Sequence, residues 1–217
     1  MSLLDFARGP AMQWSLIILV VGVTWRLFGA LLLMKKKDLS KAKVESTTGA
    51  SISTVFNRFW PKPQFAAQMS ITLLLAYTMH IGLFVVVFLF SPHITLITDM
   101  TGLSWSGLSG GVVMFFGAIT LASMIALLIR RLTSPVLKMI STPGDYISWL
   151  ITALPVLTGL MAHAHFGGPY ETVLAIHMLT VELLFIWFPF SKLMHAFLFI
   201  PSRAKLGAVF GRRGVKI

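Results

Sequence analysis

Apolar residues fall along this chain in five long runs, each close to the ~20 residues that a helix needs to cross a bilayer's hydrocarbon core. They predict spans over about 12–34, 66–90, 109–129, 145–162 and 171–197. Polar and turn-forming stretches separate them. Residues 35–64 are rich in Lys, Ser and Thr, and Ser91-Pro92-His93 closes the second run. Pro61 and Pro63 mark a helix start just beyond them, because proline suits the first helical turn. Gly110, Gly111 and Gly117 allow close helix approach in the third span. The expected fold is therefore all-α: a single membrane domain, 1–217, of five transmembrane helices.

Composition agrees with that class. Hydrophobic residues make up 56% of the 217, charged residues only 12%, and mean hydropathy is +0.84. A soluble domain carries about twice that charge. The absence of cysteine excludes protein-ligated iron–sulfur clusters, covalently attached c-type haem and disulfides. A redox centre held by this chain would rely on its six histidines. The first residues lack a basic region leading into a short apolar core, so the first span is expected to be retained rather than cleaved.

The net charge of +11 is distributed by topology rather than by affinity for nucleic acid. Lys and Arg number seven in residues 35–64, three between Arg130 and Lys138, and six from Lys192 onward, which places sixteen of eighteen on one side. The positive-inside rule then puts the N-terminus outside and the C-terminus in the cytoplasm. The loop between the second and third spans contains Asp99 and no basic residue, as an outer loop should. The expected location is the cytoplasmic (inner) membrane.

Chemistry is concentrated in the last run. His177 and His195 are eighteen residues apart, five turns of a regular helix, so one continuous helix would carry both imidazoles on one face, ~27 Å apart along its axis. That spacing suits two b haems placed one above the other across the membrane. A bis-histidine haem takes one ligand from each of two facing helices. The second span supplies His80, and the fourth ligand is open among His93, His163 and His165. His93 lies closest in sequence, but Pro92 breaks the helix before it, and thirteen residues do not return to the face of His80. Glu182 is a carboxyl inside the last span, a proton-carrying or quinone-facing group or a neutral hydrogen-bonded one. The pair His163 and His165 makes a poor helical chelate and has no evident third ligand.

Several segments are similar to one family. H-I-G-L-F from His80, R-R-L-T-S-P at 130–135, T-P-G-D at 142–145, L-A-I-H-M from Leu174 and F-P-F-S-K-L-M-H at 188–195 resemble the gamma subunit of respiratory nitrate reductase, a five-span dihaem cytochrome b. The resemblance covers spans two to five. It implies an inner haem held by His80 and His195 and an outer haem with His177 as one ligand. The family's second ligand in span two stands ten residues after the first, where this chain has Phe90, and His93 follows three residues later. The resemblance further implies electron exchange with quinone or quinol and a cytoplasmic iron–sulfur subunit as partner. Relatives in the same family pair with iron–sulfur proteins resembling heterodisulfide reductase. The catalytic substrate site would then lie on another chain. A monohaem version, with only His80 and His195 ligated, and a haem-free anchor or transporter subunit are the alternatives. The transporter reading expects interrupted spans at mid-membrane in corresponding halves of the chain, and no such pair is visible.

Overall fold

The computed structural model describes residues 2–33, 39 and 41–215. Lys35, Lys36, Lys37, Asp38 and Lys216, which enter the charge distribution above, lie outside the described residues. The described chain is helical throughout, without a β-strand. Five helices are long and apolar enough to cross a membrane, covering Leu3–Leu33, Pro63–Leu89, Gly110–Thr133, Pro143–His163 and Tyr170–Phe190.

The first of these joins α1 (Leu3–Phe6) to α2 (Met12–Leu33) through a π turn, Ala7–Ala11. Pro10 sits in that turn, where the widened ladder accommodates a residue without an N–H. The short α3 (Thr48–Asn57) precedes α4 (Pro63–Leu89), which begins at Pro63 itself. Next come α5 (Ser91–Thr101), α6 (Gly110–Thr133), α7 (Pro135–Ile140) and α8 (Pro143–His163). The spans α9 (Tyr170–Trp187) and the terminal α10 (His195–Arg212) are separated by two 3₁₀ turns, Phe188–Phe190 and Lys192–Met194.

That separation corrects one expectation. The single helix foreseen over 171–197 stops at Trp187, because Pro189 cannot continue an α-helical ladder and Ser191 is extended at φ −118°, ψ 179°. No regular helix joins His177 to His195, so the argument from five whole turns does not apply to them.

The chain forms two compact units. The first comprises Met1–Ser15 and Met69–Leu184. Its core is Met124, Ala153 and Val156, with Met79, Leu83, Leu121, Trp149 and Leu160 packed around them. Trp149 donates its indole N–H to the Met124 carbonyl at 2.9 Å, which ties α8 to α6 and leaves no buried indole donor unsatisfied. Gly117 permits the approach of these helices: a Cβ there would lie 2.9 Å from Leu160 Cδ2. Gly111 has open space around it and plays no such part. At the start of α8, Thr142 donates both its N–H and its hydroxyl to Asp145 Oδ2, at 2.9 and 2.8 Å, and Pro143 occupies the first turn.

The second unit comprises Leu16–Gln68 and Phe185–Ile217. Here α3 and α10 lie against each other. A Cβ on Gly207 would collide with the Ala50 carbonyl and stand 2.6 Å from Thr54 Oγ1, so only glycine admits α3 at this distance. Arg203 donates to the Val55 carbonyl at 3.1 Å, and its guanidinium lies 4.6 Å from the Phe59 ring centre and 5.5 Å from that of Phe199.

Candidate functional site

The end of α4 builds the site. The last carbonyls of an α-helix have no intrahelical donors, and here the chain folds back to supply them. Phe90 turns extended, at φ −89°, ψ 123°, and Pro92 starts α5 in its first turn. After Gly102 ends α5 in the left-handed region (φ 76°), the following loop returns to α4. Trp105 donates its indole N–H to the Phe88 carbonyl at 2.6 Å, and Leu108 N–H donates to Leu89 at 2.8 Å. The Val86 carbonyl is taken by a side chain, His93 Nδ1, at 2.8 Å. Pro92 does break the helix before His93, as expected. The break resets the register, so the argument that thirteen helical residues turn His93 away from the face of His80 no longer holds.

His177 is fixed from the neighbouring helix. Thr158 donates its hydroxyl to the Leu154 carbonyl at 2.8 Å, and its oxygen lies 3.2 Å from His177 Nδ1. Thr180 Oγ1 donates to the His177 carbonyl at 2.7 Å and stands 3.0 Å from Thr158 Oγ1. Gly159 provides the space, since a Cβ there would come within 3.0 Å of the imidazole Cε1. Pro155 has no N–H to offer one turn back, which interrupts the α8 ladder beside this threonine.

The two rings face each other. His93 and His177 have ring centres 6.1 Å apart and planes inclined by 15°. A carbonyl can only accept, so His93 Nδ1 carries the proton and its lone pair is on Nε2. On the other ring, His177 Nδ1 is hydrogen-bonded with the Thr158 hydroxyl. Both rings are half-buried. Burial holds His93 below the usual imidazole range, against the opposing effect of its hydrogen bond to Val86, which keeps the ring neutral.

Beside the pair lies a cavity of about 360 Å³, within the 300–1,000 Å³ range typical of ligand sites. Its walls are mostly apolar, among them Val86, Val113, Val156, Leu160, Leu174 and Val181. Its polar groups are His93 and His177 together with Arg8, His163, His165 and Tyr170. The rivals for the fourth ligand thus line the same cavity but are engaged differently. His163 stands edge-on to Phe90 with ring centres 5.3 Å apart. His165, at φ +52°, stacks on Tyr170 at 4.8 Å. Phe90 is also edge-on to His93 at 5.2 Å, so the ring at the family's ligand position packs between two histidines. Arg8 was not singled out by the sequence analysis. It reaches the cavity from the N-terminal segment.

His80 and His195 share the same local chemistry. His80 Nδ1–H donates to the Ala76 carbonyl at 2.7 Å, one turn back in α4, and His195 Nδ1–H donates to Lys192 at 2.9 Å. Both rings are exposed. Glu182 is buried at 3% exposure, and its Oε1 accepts no hydrogen bond among the described residues. No group of three or more His, Cys, Asp or Glu side chains gathers for a metal ion among the described residues.

The donor chemistry, two imidazoles beside a mostly apolar cavity, is of the kind that holds a haem. Two imidazole nitrogens each about 2 Å from one metal would leave their ring centres roughly 6 Å apart. The His93–His177 separation matches. Two protein ligands are too few for a tetrahedral zinc site but sufficient for a metal whose equatorial ligands arrive with a macrocycle.

No family model matches the chain. Over 131 residues it is 30% identical to a protein of Nitratidesulfovibrio vulgaris (strain Hildenborough), a match that covers 60% of this chain. The matched region is 58% of that relative's length.

Proposed function

We propose that this chain is the membrane-anchoring cytochrome b subunit of a respiratory oxidoreductase, exchanging electrons between the quinone pool and a cytoplasmic iron–sulfur partner subunit. The observation that carries the reading is the His93–His177 pair, near-parallel, with ring centres 6.1 Å apart and both Nδ1 atoms hydrogen-bonded by the protein. His93 would be the fourth ligand, completing the outer haem with His177. On the sequence resemblance, His80 and His195 would hold the second, inner haem. When bound, haem b supplies one-electron transfer between quinol and the partner subunit.

The chain's own residues do the rest. Val86 and Thr158 orient the ligand rings and raise their basicity through the Nδ1 hydrogen bonds. The apolar walls exclude water from the redox centre. His163, His165 and Tyr170 offer hydrogen-bonding groups to a quinol head and can take its protons, and Arg8 supplies positive charge in the same cavity. The basic segments would face the cytoplasm, with the N-terminus outside, so protons would leave on the side opposite the partner.

His177→Ala and His93→Ala test the reading. Each is expected to lower haem content by one b haem per chain and to abolish one set of low-spin bis-imidazole EPR signals. Unchanged haem content in both variants would defeat the assignment.

A further inference from the structure

The helix α3 carries a feature that electron transfer leaves unexplained. Its small residues, Ala50 and Thr54, meet Gly207 and Gly211 of α10. The opposite side is apolar and bare: Ile52 and Phe56 are 55% and 64% exposed, and Trp60, one further turn along, is 74% exposed. Spacing of four residues puts Ile52 and Phe56 on one face. At ten residues α3 is too short to span a bilayer.

The chain itself says where this face lies. Asn57, the last residue of α3, is six residues before Pro63, the first of the membrane-spanning α4. Six residues reach at most ~20 Å when extended. This connection is shorter, because Phe59 and Trp60 N–H groups turn back to the Phe56 and Asn57 carbonyls. So α3 ends close to the start of α4, with Trp60 between them, and Trp is a residue type that favours the membrane–water interface. Charge selects the lipid. Residues 41–68 and 185–215 hold nine Lys or Arg and one acid, Glu45. Lys41, Lys43, Arg58 and Lys62 are exposed around α3.

We propose that α3 lies in the plane of the membrane, its Ile52–Phe56–Trp60 side sunk into the boundary between headgroups and acyl chains of an anionic leaflet, with Lys41, Lys43, Arg58 and Lys62 on the phosphates. Apolar insertion flanked by cations is the recognition that such helices use.

The chain has no cysteine, so single labels can be placed on the full-length protein. Phe56→Cys and Asn57→Cys, each carrying a nitroxide, would be reconstituted into vesicles of phosphatidylcholine alone and of equimolar phosphatidylcholine and phosphatidylglycerol. Label collision rates with oxygen and with a water-soluble nickel chelate are then measured by EPR. The label at 56 is expected to be oxygen-accessible and severalfold better shielded from nickel than the label at 57, with deeper immersion in the anionic vesicles. The combined Lys41→Gln, Lys43→Gln, Arg58→Gln and Lys62→Gln variant should lose the anionic preference. Equal nickel access at 56 and 57 in anionic vesicles overturns the proposal. So does shielding of position 56 from both probes, which would mean protein covers it, or equal immersion in the two vesicle types. Ile52→Cys repeats the test should the label at 56 disturb the fold.

Discussion

The two units divide the chain's polar chemistry between them. The unit of residues 1–15 and 69–184 contains five of the six histidines but only four of the eighteen Lys and Arg residues. The unit of residues 16–68 and 185–217 contains the other fourteen and a single histidine, His195. In the first, several polar groups are drawn into the protein and paired there: His93 with Val86, His177 with Thr158, Trp149 with Met124; Glu182 Oε1 is the exception, buried without a partner among the described residues. In the second, most of the charge is left at the surface, and the packing of α3 on α10 relies on glycines. A polar group buried beside lipid must bring its partner with it, so the first unit's hydrogen bonds are specific and its substitutions should be felt at the site. The α3–α10 packing of the second unit is mostly steric, with Arg203 adding one hydrogen bond and an aromatic contact, so substitutions in that packing should be felt in stability.

That contrast can be broken most severely at His177. His177→Ala is expected to remove one b haem per chain while leaving the α3–α10 packing intact, checked by haem content alongside a proteolysis pattern of the α3–α10 region. Thr158→Val comes next. It keeps the side chain's shape and removes the hydroxyl hydrogen-bonded with His177 Nδ1, and loss of such an outer hydrogen bond typically costs about 10–100-fold in ligand-site affinity. The measurement is haem retention during gel filtration and a shift in the midpoint potential of one haem. On the other side, Gly207→Val should destabilise by about 1–3 kcal/mol through overpacking against Ala50 and Thr54. Thermal unfolding in detergent reads that loss, with the reduced-minus-oxidised spectrum of the remaining folded protein unchanged. The smallest effect is Arg203→Ala, which loses the Val55 hydrogen bond and the aromatic contact, about 1 kcal/mol. It too should lower the unfolding temperature without altering the spectrum. If Gly207→Val depleted haem as strongly as Thr158→Val, the division between site and scaffold would fail.

The five apolar helices were legible because long apolar runs have few other uses, and the proline and glycine punctuation gave most boundaries. Of the histidines singled out, His80, His93, His165, His177 and His195 all have Nδ1 hydrogen-bonded with a protein oxygen. Their arrangement was less legible. That His93 rather than His163 or His165 stands beside His177 depended on the extended turn at Phe90, and helical periodicity cannot describe a register that is reset. The break between Trp187 and His195 was visible as Pro189, but the eighteen-residue spacing suggested a continuous helix and outweighed it. The partners of the ligand rings were not visible at all. One is a main-chain carbonyl freed at the end of α4. The other is Thr158, whose neighbours Pro155 and Gly159 form a Pro-x-x-Thr-Gly pattern inside a span that would have been worth marking.

The most direct test of the central claim is a pyridine haemochrome titration on purified wild-type protein and on His93→Ala, side by side. About two b haems per wild-type chain, and one fewer in the variant, are expected. A colourless wild-type protein from haem-replete cells, or equal haem content in the two, would contradict the claim.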